Sequence, residues 1–287
     1  MDISFCIVNL NAKNYLRDCL ISIPSSTNST NYEIIVVDNN SNDGSVQFIL
    51  EKYPNIILIV NQRNEGYTKA MNFALKKSRG RYKVILNPDA ELTTDSIDVL
   101  IGHLELDKDI GIIGPKVING DGSFQKSCRR GIARPISVFS YFFGLSERYP
   151  SNQRFTGYHL NHLDENEINE VSGVSGSCMV FRDVIINDIG YFDERYFAYQ
   201  EDSDYCLMAM NKGWKVYYNP NSIVKHHGGR GGANSVRSKA IFEWHRSYVK
   251  YYFKHFSKDY SFMFNLFYFM VMIGKLIFTE TRSVIKS

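Results

Sequence analysis

The residues of this chain best placed to do chemistry are acids at the ends of apolar runs. Val84-Ile85-Leu86 breaks into the proline-stiffened turn Asn87-Pro88-Asp89, as a short buried strand does when it reaches a turn. That sets the Asp89 carboxylate at the carboxyl edge of a sheet, where open α/β folds hold their ligands. An earlier run ends at Asp38 inside VVDNNSNDGS. A carboxylate only accepts hydrogen bonds, so at such an edge Asp38 suits the imide N3–H of uracil or thymine, a donor that cytosine lacks. A third acidic group, Glu201-Asp202, opens an amphipathic helix that stops before Gly213. Each has a plainer reading when taken alone. An Asp after a strand is an ordinary cap or turn residue, acids at a helix start favour the positive end of its dipole whatever the function, and His226 or His227 is an ordinary loop histidine.

The elements that must position these groups follow from the hydrophobic pattern. Strand-like runs at 4–8, 33–37, 56–60 and 81–86 alternate with helical segments near 13–23, 45–52 and 68–78. This βαβαβαβ order predicts a largely parallel α/β sheet covered on both faces. Crossovers are right-handed, so the strand ends at Asn9, Asp38, Asn61 and Asn87–Asp89 line up along one polar edge.

Several classes are excluded. The first strand-to-helix turn, NLNAKNYL, has no glycine, and no GKS or GKT follows a glycine-rich turn, so neither a dinucleotide fingerprint nor a P-loop is present. Five cysteines with no CxxC argue against a disulfide framework or a thiolate zinc site. At 287 residues and 44% hydrophobic content the chain can bury a sizeable core. No secretory signal is visible before residues 3–8, so a cytoplasmic setting is expected.

In combination, IVNLN, VVDNNSNDGS, NEGYTKAMNFAL, LNPDAEL and FAYQEDSDYCLMAMNKGWKVYYNPNSIVKHHGG resemble the family 2 glycosyltransferases, in the rhamnosyltransferase-like branch that builds bacterial surface polysaccharides. The resemblance covers roughly residues 3–255. It implies a GT-A fold, Rossmann-like with a mostly parallel central sheet, a nucleotide-sugar donor, Mg²⁺ or Mn²⁺, and inversion at the anomeric carbon. It places the donor against Asn9, Asn11, Asp38, Asn40, Asn64, Gly66, Asn72, Asn87 and Asp89, with Arg230 or Lys225 near the diphosphate. Asn87-Pro88-Asp89 stands where the family's Asp-X-Asp lies, so Asp89 becomes the main carboxylate ligand of the metal and His226 approaches from the other side. Asp202 is the implied general base and Glu201 positions the acceptor or the base. The implied donor is a dTDP- or UDP-sugar, dTDP-rhamnose foremost, and the acceptor a saccharide or a polyprenyl-diphosphate-linked saccharide. Two rivals are weaker: a nucleotidyltransferase needs a glycine-rich, Arg-bearing first loop, and a non-catalytic scaffold would bind donor without turnover.

The rest is read more coarsely. Residues 1–234 form the catalytic domain, split near 92 into nucleotide-binding and acceptor-binding halves. Residues 111–117 are an edge element and 171–181 a strand whose Gly176 lets acceptor sugar approach. Lys126, Arg129, Arg130 and Arg134 form a solvated basic face or a contact for a lipid diphosphate. Residues 146–168 are a polar loop, and glycines 228, 229, 231 and 232 suit a loop closing over donor. Residues 235–287 form a basic tail, with nine Lys or Arg against three acids from 236 on. Its first helix, to about 256, carries Trp244, Tyr248, Tyr251 and Tyr252 opposite Arg246, Lys250 and Lys254, the pattern of a membrane-surface helix. Residues 262–278 are apolar almost all round but short for a span, so peripheral attachment to the cytoplasmic membrane is expected, with a homo-oligomer contact as the alternative. Nucleic acid is not an expected partner.

Overall fold

The computed structural model describes residues 1–229 and 237–285. Its first part is the alternation predicted: β1 (Ile3–Asn9), α1 (Lys13–Ser22), β2 (Tyr32–Asp38), α2 (Ser45–Lys52), β3 (Ile57–Val60), α3 (Tyr67–Lys77) and β4 (Tyr82–Leu86). These strands pair in parallel, and the register sets Asn9 beside Asp38. β1 is buried along its whole length, as a strand covered on both faces must be.

The chain continues with β5 (Ala90–Leu92), α4 (Ser96–Leu106), β6 (Ile110–Ile118), β7 (Arg129–Arg130), α5 (Pro135–Phe142), α6 (Leu145–Arg148), α7 (Gln153–Thr156), β8 (Asn169–Glu170), β9 (Gly173–Val174) and β10 (Cys178–Arg182). It ends with α8 (Val184–Ile189), α9 (Glu201–Met210), β11 (Lys215–His226), α10 (Arg237–His255) and α11 (Phe262–Ile285). Among the described residues, nine strands make one sheet in the order β3-β2-β1-β4-β10-β6-β11-β5, with β8 paired to β11. The architecture is thus α/β, mixed and mostly parallel.

Two readings are corrected here. Residues 110–118 are interior to the sheet, because the antiparallel β10 inserts between β4 and β6 while β11 pairs along the other side of β6. Residues 171–181 are two strands: Gly173–Val174 pairs with Arg129–Arg130 in a separate ribbon, and the chain turns through 175–177 before β10. β11 extends through Asn219-Pro220-Asn221, with a register shift between Asn219 and Ile223, where the proline cannot donate to a ladder.

This topology assembles the site. β10 runs against β4, so the turn entering it meets the end of β4, and the Asn87 amide donates to Ser177 O at 3.0 Å. β11 runs parallel to β6 and antiparallel to β5, which pairs His226 with Ala90 and brings His226 beside Asp89.

One apolar core joins the sheet to α3, α8 and α9, and a second joins its other face to α1, α2 and α4. A third holds Tyr248, Tyr251 and Tyr252 of α10 against Val138 of α5, Leu207 of α9 and Tyr268 and Met272 of α11. The aromatic face of α10 is therefore covered by protein and not by lipid. Its cations are engaged too: Lys254 Nζ lies 2.8 Å from both Asp193 and Asp204 carboxylates. α11 is longer than the apolar run alone implied. At 24 residues it is long and apolar enough to cross a membrane, and Phe267, Met270, Ile273 and Ile277 are exposed.

Candidate active site

Asp89 lies at the mouth of β5 and is almost fully buried. Its Oδ1 stands 3.2 Å from His226 Nε2, and Asn87 Nδ2 is also 3.2 Å from that nitrogen. The imidazole is oriented from behind. Gln125 Nε2 donates to Asn119 Oδ1 at 2.8 Å, which turns Gln125 Oε1 to His226 Nδ1 at 2.9 Å. Gln125 thus engages Nδ1 and leaves Nε2 as the nitrogen that faces Asp89, the orientation that a metal-ligating histidine requires.

This pair fits a hard divalent cation. Neighbouring ligands at right angles, with bonds of about 2.1 Å, stand about 3 Å apart, close to the separation of Asp89 Oδ1 and His226 Nε2. Among the described residues no three His, Cys, Asp or Glu side chains converge on one point, so oxygens from elsewhere must complete the coordination.

A cavity of about 250 Å³ opens on Asp89, His226, Asn87 and Asn64, with Asn39 and Tyr67 in its wall. Asn64 Oδ1 accepts from Asn39 Nδ2 and from the Gly66 amide at 3.0 and 2.9 Å. Gly66 has φ of +89°, and a Cβ there would meet Phe197 at 2.7 Å, so the turn and the close approach both need glycine.

The remaining donor candidates are placed otherwise. Asp38 is fully buried and does not line the cavity: its Oδ2 accepts from Asn9 Nδ2 and its Oδ1 from the Ser41 amide, each at 2.8 Å. It organises the loop after β2, and the imide-reading role is withdrawn on that ground. Asn9 serves the same network beneath the cavity. Asn11 ties the first turn to that loop, its amide donating to Ser41 Oγ at 2.9 Å and its Oδ1 accepting from the Asn42 amide at 2.8 Å. Asn40 is exposed, with φ of +72°. Asn72 exchanges hydrogen bonds with the Phe192 backbone at 2.9 and 3.1 Å, so it pins the chain ahead of α9 and does not face the donor cavity. Arg230 lies outside the described residues, as do Gly231 and Gly232.

The second acidic group lies across a shared wall. A cavity of about 340 Å³ is lined by Glu201, Asp202, Gly176 and Arg130, and it has Tyr67, Asn87, Tyr199 and His226 in common with the first. Tyr199 and Gln200 have φ of +68° and +64°, a left-handed pair of non-glycine residues costing about 1–3 kcal/mol each. Helix α10 braces this bend: Ser247 Oγ donates to Ala198 O at 2.8 Å, and His255 Nε2 meets Asp204 Oδ1 at 2.6 Å.

Asp202 is held by three elements at once. Its Oδ2 accepts from Arg130 Nη2 and from the Gly176 amide, and its Oδ1 accepts from the Ser203 amide at 2.7 Å. Oδ1 also takes a long contact from Ser203 Oγ at 3.4 Å, whereas Oδ2 is held by a guanidinium and an amide, so Oδ1 is the oxygen more readily freed for a proton. The basic run is not a solvated face at its centre. Arg129 is buried over the Tyr218 ring, 4.9 Å from its centroid, and donates to the Leu163 and Asp164 carbonyls at 2.6 Å. Removing one partner of a buried ion pair costs about 3–5 kcal/mol. Arg130→Met therefore lowers the unfolding free energy measured in urea by about 3–5 kcal/mol, and adding Asp202→Asn restores most of it; a single variant as stable as the wild type would show that the pair contributes nothing.

Glu201 differs. Its Oε2 is buried without a hydrogen-bond partner among the described residues. Burial, with the Asp202 charge beside it, pushes its carboxyl from the ordinary 4.5 up to about 8. A carboxyl that keeps its proton in this way can donate a hydrogen bond, where an ordinary carboxylate only accepts. A carboxyl with a raised folded-state pKa contributes stability that is complete below about pH 4.5 and is lost as pH rises through about 8. The melting temperature of the wild type accordingly falls across that window and that of Glu201→Gln falls less. Parallel curves would contradict the assignment.

Tyr67, Gln125, Arg130 and Tyr199 are site residues that sequence reasoning did not place. Tyr67 sits in the shared wall with its hydroxyl 3.4 Å from Gly176 O, and burial among Glu201 and Asp202 raises that phenol well above its usual range.

Comparison with known proteins identifies the family and the fold. The model of "Glycosyl transferase family 2" matches residues 4–190, and that of "Glycosyl transferase family group 2" matches 151–232. The N-acetylglucosaminyl-diphospho-decaprenol L-rhamnosyltransferase of Mycobacterium tuberculosis is 31% identical over 206 residues, covering 68% of this chain and 66% of that protein. The alignment thus spans just under two thirds of that relative. The low-salt glycan biosynthesis hexosyltransferase Agl10 of Haloferax volcanii is 24% identical over 219 residues, covering 75% of this chain and 64% of that one. Two solved structures share the fold. GalNAc-T7 with UDP, GalNAc and Mn²⁺ superposes with a TM-score of 0.61 at 18% identity, over 88% of this chain and 47% of that one. The mannosyltransferase PcManGT of Pyrobaculum calidifontis with GDP-Man and Mn²⁺ gives 0.57 at 16%, over 88% and 63%. A mixed sheet with the antiparallel β10 set into it, an acid-and-histidine pair at one strand edge and two acids facing it across a common wall are, with the family match, enough to place the chain: it belongs to glycosyl transferase family 2.

Proposed function

We propose that the chain is an inverting glycosyltransferase that moves a sugar, rhamnose from dTDP-rhamnose foremost, to a hydroxyl of a lipid-linked saccharide. The observation that carries this reading is the pair of adjoining cavities, one holding Asp89 and His226 and the other Glu201 and Asp202. A displacement with inversion needs a group on each side of the sugar and no covalent nucleophile. Asp202 Oδ1 takes the proton of the acceptor hydroxyl as it attacks the anomeric carbon. Glu201, protonated, donates to an acceptor oxygen and orients it, and Arg130 holds Asp202 in place. Asp89 and His226 would hold Mg²⁺ or Mn²⁺, which when bound offsets the charge that grows on the departing diphosphate. The rhamnosyl choice and the lipid-linked acceptor rest on the sequence resemblance and on the name of the Mycobacterium tuberculosis relative.

Calorimetric titration of dTDP-rhamnose and a panel of UDP-sugars, with and without Mn²⁺, followed by hydrolysis of the binders, tests the proposal. A chain that binds no nucleotide sugar in either condition overturns it, and binding with no turnover on any acceptor leaves a scaffold. Attachment to the cytoplasmic face of the membrane belongs to the same reading and rests on the exposed apolar surface of α11. Full-length protein then sediments with liposomes and a chain lacking 257–287 stays in solution.

A further inference from the structure

Beyond the base and metal residues lies a cavity of about 660 Å³ between α5, α10 and α11. It is continuous with the acceptor cavity, for Tyr141, Tyr199 and Trp244 line both. Its volume is in the range that holds a ligand of some tens of atoms. Phe142 and Ile241 make it apolar, yet Arg237 and Lys275 also face it. Neither cation has a carboxylate partner among the described residues. Lys275 Nζ rests over the Phe142 and Phe278 rings, 5.6 and 5.7 Å from their centroids. His245 lines the same space: its Nδ1 is 2.8 Å from Ile241 O, so the carbonyl takes that hydrogen, while the buried Nε2 has no partner among the described residues. Glu280, nearby on α11, accepts from Ser238 Oγ at 3.0 Å.

We infer that this groove seats the diphosphate and the first isoprenoid units of the lipid-linked acceptor, with Arg237 and Lys275 on the phosphates and Phe142, Ile241 and Trp244 on the chain. The inference rests on the proposed transfer to such an acceptor and assigns it a site. Two cations in an otherwise aromatic slot match a molecule that is anionic at one point and apolar beyond it. Continuity through Tyr141, Tyr199 and Trp244 leads the attached sugar toward Asp202. Phe278, whose ring lies 5.7 Å from Lys275 Nζ at the groove, is itself exposed, so a lipid tail leaving the groove meets an apolar side chain and not only water.

The chain has two tryptophans, so Trp214→Phe leaves Trp244 as the reporter. Farnesyl diphosphate, titrated into this full-length protein in detergent, quenches Trp244 fluorescence, and inorganic diphosphate and farnesol bind at least about tenfold more weakly. Adding Arg237→Ala and Lys275→Ala weakens farnesyl diphosphate at least about tenfold while nucleotide-sugar binding and hydrolysis stay as before. Inorganic diphosphate binding as tightly as farnesyl diphosphate would reduce the groove to an anion site, farnesol doing so would reduce it to an apolar face, and unweakened binding by the double variant would remove the two cations; each outcome overturns the assignment. A wild type that binds no nucleotide sugar defeats the proposed activity instead, and leaves the farnesyl diphosphate result to stand or fall by itself.

Discussion

Asp202→Asn protein transfers or hydrolyses its sugar at least about 10²-fold more slowly than the wild type, with donor affinity unchanged. Asparagine keeps the shape, and its amide oxygen can still accept from the Gly176 or Ser203 amides, which hold the native carboxylate. What it loses is a basic oxygen for the acceptor proton. Loss of the Arg130 pairing accompanies the change, so turnover is compared with that of Arg130→Met, which keeps the carboxylate. A base defect lowers kcat in Asp202→Asn far more than in Arg130→Met. Equal losses in the two variants would make Asp202 a positioning residue, and undiminished turnover in Asp202→Asn would remove it from the chemistry.

Asp89→Asn acts on the other side of the sugar. Its expected result is a loss of kcat of about 10²–10³-fold, the scale for removing a group that stabilises developing charge, together with loss of the Mn²⁺ dependence of donor binding. His226→Ala does the same more weakly, because a neutral nitrogen contributes less to holding a hard cation than a carboxylate does. Donor affinity that rises with Mn²⁺ as steeply in Asp89→Asn as in the wild type would show that the cation is held elsewhere. Gln125→Leu provides an internal check: it removes the acceptor behind the far nitrogen of His226, together with a hydrogen bond to Asn119, so metal affinity falls while kcat at saturating metal is largely kept.

The N-terminal half was legible because its strands are contiguous apolar runs and its connections short, so pattern and topology point the same way. Asp89 and the Glu201-Asp202 pair were legible for a related reason, since strand and helix ends mark themselves. What escaped was set by contacts distant in sequence. Arg130 reads as a surface charge until Asp202, 72 positions on, folds against it. Residues 111–117 read as an edge because nothing local announces that 178–182 will come to lie beside them. The pattern of α10 specifies a covered aromatic face but not what covers it, which is Val138 of α5, Leu207 of α9 and Tyr268 and Met272 of α11. The resemblance sets Asp38 and Asn72 against the donor, whereas hydrogen bonds to the loop after β2 and to Phe192 decide where they point.

The five residues of β10 join strands made long before them to strands on their far side. During synthesis the edge of β4 therefore stays open until Arg182 has left the ribosome, so a nascent chain halted short of that point carries an uncapped, apolar strand able to pair with a neighbour. Quality control by chaperones would be needed most over that interval, and truncated forms ending between 86 and 182 should be recovered as aggregates.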